Sequence, residues 1–288
     1  MTQIQIGVIG GSGLYAMAAL EEARELHIET PYGPPSDAFV VGKVAGVSVA
    51  FLARHARGHR LLPSEVNYRA NIHAMKQLGV RYLVSVSAVG SLAQDMAPLD
   101  IVTPDQFIDL TRKRETSFFG DGVVAHVSMA QPVCPHVRRV LAQAVAATDD
   151  GSAGTLHEAG TYVCIEGPQF SSLAESNWYR SMGAHIIGMT NMPEAKLARE
   201  AQMAYATLAM VTDYDCWHPH EADVSTSMAL QNLMHNAERA QKIVALAVAM
   251  LGRELPASPA HSALADALVT QPEAMSDVRR AMLEPILR

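Results

Sequence analysis

The sequence predicts an α/β chain: a single sandwich in which helices flank a mostly parallel or mixed central β-sheet. Short apolar, β-branched runs alternate with longer helix-patterned stretches from residue 4 to about residue 252. Several of the apolar runs stop in glycine- or serine-rich turns, as buried strands of such sheets do. The 288 residues are 49% hydrophobic and 18% charged, a globular composition able to bury a substantial core.

Ile4–Ile9 reads as a buried strand that ends in Gly10-Gly11-Ser12-Gly13, and a helix is expected over Ala16–Leu26. Ala38–Val44 and Val47–Ala53 read as strands joined at Ala45-Gly46, which suggests a hairpin. Pro63-Ser64 opens a helix that runs to Leu78, with Ser64 as N-cap and Gly79 as the stop. Tyr82–Ser87 is a strand buried on both faces, and a further strand is expected over Asp100–Thr103. The polar stretch Thr111–Gly122 reads as a loop and Val137–Ala147 as a helix. A strand at Thr161–Ile165 meets the loop Glu166-Gly167-Pro168-Gln169, then come a helix over Ser172–Met182 and a short strand at His185–Gly188. Met192–Ala201 is helical with Pro193 in its first turn, Tyr205–Val211 is the last strand, and Ser225–Gly252 is a long helix. Residues 1–252 therefore form the expected α/β domain. Residues 253–288 form a linker and a weakly amphipathic helical tail.

A net charge of −7 argues against a nucleic-acid polymer as partner, yet leaves room for a small anion held by one or two arginines and backbone N–H groups. Three cysteines, Cys134, Cys164 and Cys216, lie far apart without CxxC spacing, so neither a disulfide framework nor a zinc knuckle is expected. The start MTQIQIGVIGGSG carries no secretory pattern, and no run approaches ~18 apolar residues, so a cytoplasmic protein is expected.

Chemistry concentrates in four places. Gly10-Gly11-Ser12-Gly13 lets backbone N–H groups and the Ser12 hydroxyl converge on an anion. Gly11-x-Gly13-x-x-Ala16 also fits a dinucleotide fingerprint, with Glu29 as its acid, and a tight turn without a ligand is the third reading. Arg54-His55-Ala56-Arg57-Gly58-His59 follows a strand, where an arginine fork matches phosphate oxygens, although a solvated basic loop reads equally well. Ser85-Val86-Ser87-Ala88-Val89-Gly90 runs a buried strand into small residues, which makes Ser87 and the Ala88 N–H candidate phosphate or sugar contacts. In Thr212-Asp213-Tyr214-Asp215, residues i and i+2 of an extended segment face one side. The two carboxylates then repel, and one becomes a proton donor near neutral pH. That pair suits a 6-aminopurine, the protonated acid donating to N7 and the ionised one accepting from the amino group. A metal site using His218 and His220, or a solvated loop, are the alternatives.

Taken together, the segments IGVIGGSGL, LARHARGH, VNYRANIHAMKQLG, VSAVGSL, IEGPQFSSLAES, GMTNMPEAKLAREA and MVTDYDCWHPHE resemble the 5'-methylthioadenosine phosphorylases of the purine nucleoside phosphorylase family, in the family's order, over about residues 4–235. The resemblance implies the nucleoside-phosphorylase fold, a homotrimer, phosphorolysis of methylthioadenosine, and neither metal nor organic cofactor. It implies phosphate contacts from Ser12, Arg54, His55, Ser87, Ala88 and Thr190. It likewise implies a ribose contact from Met189, base contacts from Phe170, Ser171, Asp213 and Asp215, and a 5' region built from His59, Thr226, Ala229 and Leu230. His126 matches a histidine given by a neighbouring subunit. Serine stands at 12 and 87 where many relatives have threonine, Gln169 replaces an arginine, and Thr226 and Ala229 replace larger apolar residues. Broader nucleoside tolerance is one alternative to the methylthioadenosine reading. A non-catalytic nucleoside sensor is another.

Overall fold

The computed structural model describes residues 4–11, 13–148, 154–219 and 226–288, the side chains of 15 and 226–236 excepted. Within them a mixed sheet runs β2-β3-β4-β1-β5-β10-β9-β7, built from β1 (Ile6–Gly10), β2 (Leu20–Leu26), β3 (Phe39–Val44), β4 (Val47–Ala53), β5 (Tyr82–Ser91), β7 (Gln106–Asp109), β9 (Thr161–Cys164) and β10 (Ile186–Gly188). Alongside it, β11 (Ala204–Tyr214) pairs with β5 and with β6 (Ile101–Val102), and β6 pairs with β8 (Leu156–His157). One face carries α1 (Tyr68–Gln77), α4 (Asn191–Glu200) and α6 (Asp277–Leu287), whose Ile72, Met75, Leu197, Leu283 and Ile286 share a core. The other carries α2 (Pro135–Ala147) and α5 (Thr226–Glu254), packed through Val137, Leu141, Ile243, Val244 and Val248. A separate helix, α3 (Leu173–Ser181), sits near the end of β10 through Tyr179. No helix among the described residues is long and apolar enough to cross a membrane.

The apolar runs are strands as the sequence predicts, and the hairpin at Ala45-Gly46 forms, with both residues at positive φ and Val40 opposite Phe51. Two local expectations are overturned. Where a helix is expected over Ala16–Leu26, a short 3-10 turn at Leu14–Ala16 is followed by β2, an exposed edge strand paired antiparallel with β3. Its Leu-Glu-Glu-Ala-Arg-Glu-Leu composition favours a helix locally. Pairing with β3 overrides that preference, and the charges blunt an open sheet edge. The second concerns Ser64, which does not cap α1. Asn67 does, accepting from Ala70 N, while the Ser64 hydroxyl donates to Glu166.

The tail is tied into the body. The Gln202 amide donates to the carbonyls of Ile286 and Arg288, and Arg279 donates to Phe118 O at 2.8 Å. Leu283 and Ile286 are fully buried. Leu283→Ala is expected to cost about 2–5 kcal/mol in urea unfolding, the usual loss for a buried leucine. An unchanged midpoint would mean that α6 lies outside the cooperative core.

Candidate active site

β5 decides where the site opens. Its first half pairs with β1 as far as Ser85 opposite Ile9, and its last residues pair with β10 from Gly90 opposite Ile187. Between those partners Val86–Val89 has β11 on one side and no strand of the described residues on the other. A gap between diverging neighbours at strand ends is where open α/β sheets bind ligands. Here it holds a cavity of about 450 Å³ lined by Gly11, Arg54, His55, His59, Ser87, Ala88, Gly90, Phe170, Ser171, Met189, Thr190, Thr212, Asp213 and Asp215, among others. A volume of this size suits a small organic ligand.

Asp213 and Asp215 stand at one end, both nearly buried at 5% and 4% exposure. Between Val211 and Asp213 the β11–β5 register slips, leaving Thr212 as a bulge residue. A bulge re-aims side chains, and here Thr212, Asp213 and Asp215 all reach the cavity. Burial pushes the Asp213 carboxyl up to about 6, against a lowering hydrogen bond from Thr212 and with a further push from Asp215. Asp215 Oδ2 and Ser171 Oγ are buried with no protein partner among the described residues, so both retain hydrogen-bonding capacity for a ligand. Gly90 makes room for this end: a Cβ there would lie 3.0 Å from Asp213 Oδ1 and 3.1 Å from Ile187 Cγ2. Gly90→Ala is therefore expected to reduce turnover by about tenfold or more, through misplacement of the acid, while its melting temperature moves by only a few degrees. Wild-type kinetics in that variant would mean that the carboxyl position is not critical.

The opposite end gathers Gly11, Arg54, Ser87, Ala88 and Thr190. Thr190 stands at the N-cap position of the kinked α4 without a side-chain capping bond, and its hydroxyl lies 3.3 Å from that of Ser87, which is also 3.3 Å from Tyr162 Oη. Arg54 is 2% exposed and far from being a free fork. Its Nε donates to Glu194 Oε2 at 2.7 Å and Nη2 to Oε1 at 3.0 Å, with Ser85 Oγ and the carbonyl of Val86 also accepting. Burial opposes the Arg54 charge and Glu194 more than offsets it, so the guanidinium stays protonated. Glu194 was not legible as a site residue, because in the sequence it is one acid in the first turn of an ordinary helix.

His55 is pulled down to about 4, first by burial and then by Arg54, so it is neutral near pH 7. Its Nδ1 donates to Leu61 O at 2.9 Å, and its ring stacks on His59. The sequence also hides Arg114, inside the expected loop. Its guanidinium reaches the carbonyls of Met189, Met192 and Glu166 at 2.7, 2.6 and 2.8 Å and Glu166 Oε1 at 3.0 Å, tying together two cavity-lining segments. Burial alone would raise the Glu166 carboxyl. Donors from Arg112, Ser64, Lys113 and Arg114 instead hold it at about 2.

Eleven of the sixteen residues expected at the site, from Arg54 to Asp215, thus line one cavity. His126 is exposed and does not line it, its N–H donating to Ala267 O. Ser12 lies outside the described residues, as do the side chains of Thr226, Ala229 and Leu230 and the whole of His220.

Comparisons with known proteins identify the family and the fold. The model of the phosphorylase superfamily matches residues 5–249. The chain is 56% identical over 273 residues to the S-methyl-5'-thioadenosine phosphorylase of Synechocystis sp., covering 95% of this chain and 83% of that relative. It is 58% identical to the enzyme of the same name from Thermosynechococcus vestitus, covering 92% of each. Among solved structures, a methylthioadenosine phosphorylase from an antarctic soil metagenomic library superposes with a TM-score of 0.96 at 60% identity over 100% of both chains. The methylthioadenosine phosphorylase from Schistosoma mansoni in complex with adenine gives a TM-score of 0.82 at 38% identity, covering 87% of this chain and 93% of that one.

Proposed function

The chain belongs to the phosphorylase superfamily and, within it, to the methylthioadenosine phosphorylases, and we propose that it is a pentosyltransferase cleaving 5'-methylthioadenosine with phosphate to adenine and 5-methylthioribose 1-phosphate. The observation that carries this reading is a single cavity with a raised carboxyl and a second, unpartnered carboxylate oxygen at one end and a hydroxyl-rich, arginine-bearing anion end at the other. Protonated Asp213 donates to purine N7, so adenine departs without full negative charge. Asp215 accepts from the 6-amino group, and Phe170 and Ser171 flank the base. Phosphate held by Ser12, Ser87, Ala88 N–H, Thr190, Arg54 and the His55 segment attacks C1' as the bond from C1' to N9 breaks. Met189 offers a polarisable surface to the ribose, and His59 with Thr226, Ala229 and Leu230 surrounds the 5'-methylthio group.

Neither a metal nor an organic cofactor enters this reaction, since phosphate is itself the nucleophile. The reading includes a cytoplasmic homotrimer in which a neighbour's His126 completes the 5' pocket. Exposed Phe170 and Trp178 line a second hollow that Phe170 shares with the cavity, and they support a covering subunit, because neighbouring exposed apolar side chains commonly mark an interface. The test is adenine release with and without phosphate, compared for methylthioadenosine, adenosine, methylthioinosine and inosine. Release independent of phosphate, or none at all, would overturn the reading. Equal use of adenosine would move it to a broader nucleoside phosphorylase.

A further inference from the structure

The two oxygens of Asp213 have different neighbours. The Thr212 hydroxyl lies 2.6 Å from Oδ2 and 3.2 Å from Val89 O, whereas Oδ1 lies beside Gly90, where an added Cβ would come within 3.0 Å of it. A protonated carboxyl accepts better at its carbonyl oxygen than at its hydroxyl oxygen, so a donor held to Oδ2 favours the acidic proton on Oδ1. If the proton moved to Oδ2, the Thr212 hydroxyl would have to donate to Val89 O over the longer 3.2 Å and accept from the acid instead. The bulge is what brings this about, since regular alternation would place residues 212 and 213 on opposite faces, yet both line the cavity. We infer that Thr212 is a positioning residue that keeps the acidic proton of Asp213 on Oδ1, the oxygen beside Gly90 on the cavity wall. The inference rests on the proposed role of Asp213 as the N7 donor.

The groups around the carboxyl are few. Asp215 stands at the end of the same strand, close enough to Tyr179 of α3 to add to the burial that raises its phenol, while β5 and β10 contribute uncharged Gly90 and Ile187. The Thr212 bond also favours the ionised acid, so its removal has a defined sign: the carboxyl becomes harder to ionise.

The test compares kcat/KM for methylthioadenosine against pH in wild type, Thr212→Val and Thr212→Ser at saturating phosphate. Phosphate itself titrates near neutrality, so the readout is the difference between variant and wild-type profiles. Thr212→Val is expected to lose about tenfold in kcat, to leave the KM for phosphate within about twofold, and to move the alkaline limb to higher pH. Thr212→Ser restores both. Thr212→Ala removes the same hydroxyl without adding bulk and gives the same profile, so a folding failure in the valine variant leaves the inference testable. An alkaline limb that disappears in Asp213→Asn but stays in place, with unchanged kcat, in Thr212→Val and Thr212→Ala overturns this inference alone. If Asp213→Asn keeps the wild-type profile, the role of Asp213 itself falls.

Discussion

Replacing Asp213 with asparagine is expected to lower kcat/KM for methylthioadenosine by about two to four orders of magnitude, the usual range for a lost general acid. The same change is expected to improve use of methylthioinosine relative to methylthioadenosine. An amide N–H₂ still donates to N7 but carries no acidic proton to transfer, and it can also donate to a 6-oxo group, which a 6-amino group cannot accept. The pH dependence in wild type has a fixed sign. The carboxyl is raised to about 6, so the competent form prevails below that pH and is lost above it. At pH 7 only about a tenth of the free enzyme carries the proton, and the alkaline limb of kcat/KM should report this group. Steady-state kinetics on the two nucleosides between pH 5 and pH 9, with about equal phosphate saturation throughout, checks both expectations. An asparagine variant with full activity and unchanged preference would remove Asp213 from base recognition.

Much of this site can be read in the sequence because strand ends are local signals. Arg54, Ser87, Asp213 and Asp215 each follow an apolar run, and the sheet brings those run ends together. What cannot be read is what holds them. The aim of the Asp213 carboxyl into the cavity depends on a bulge at Thr212, and spacing of i and i+2 gives no warning of a register slip. Arg114 lies in a stretch with no regular pattern, and its role follows from six contacts across the chain, the nearest partner in sequence being 46 residues away. The helix expected over Ala16–Leu26 failed for a related reason: helix propensity is a local preference, and an edge strand is decided by its neighbour β3. Glu194 combines both difficulties, since its partner Arg54 is 140 residues away and nothing in the helix itself marks a buried acid.

Glu194 changes what an Arg54 variant should do. From the sequence alone, Arg54→Ala would weaken phosphate use and little else. In the structure, Arg54 and Glu194 are 2% and 1% exposed and share two hydrogen bonds. Removing the arginine leaves a buried carboxylate facing only Ser85 and Tyr205 among the donors seen. Arg54→Ala is therefore expected to lose about 3–5 kcal/mol of stability, the cost of stranding one partner of a buried pair. Pairing Arg54→Met with Glu194→Leu removes both charges and fills much of the space, and it should recover most of that loss. The two variants separate scaffold from chemistry. Because Arg54 also contacts phosphate in the proposed site, the double variant is expected to be stable by urea unfolding but to keep a KM for phosphate raised by tenfold or more, on the order of 1.4 kcal/mol or above. If the double variant regains both stability and wild-type phosphate affinity, then Arg54 serves to neutralise Glu194 beneath the site, and the anion is held by Ser87, Thr190 and backbone N–H groups without it.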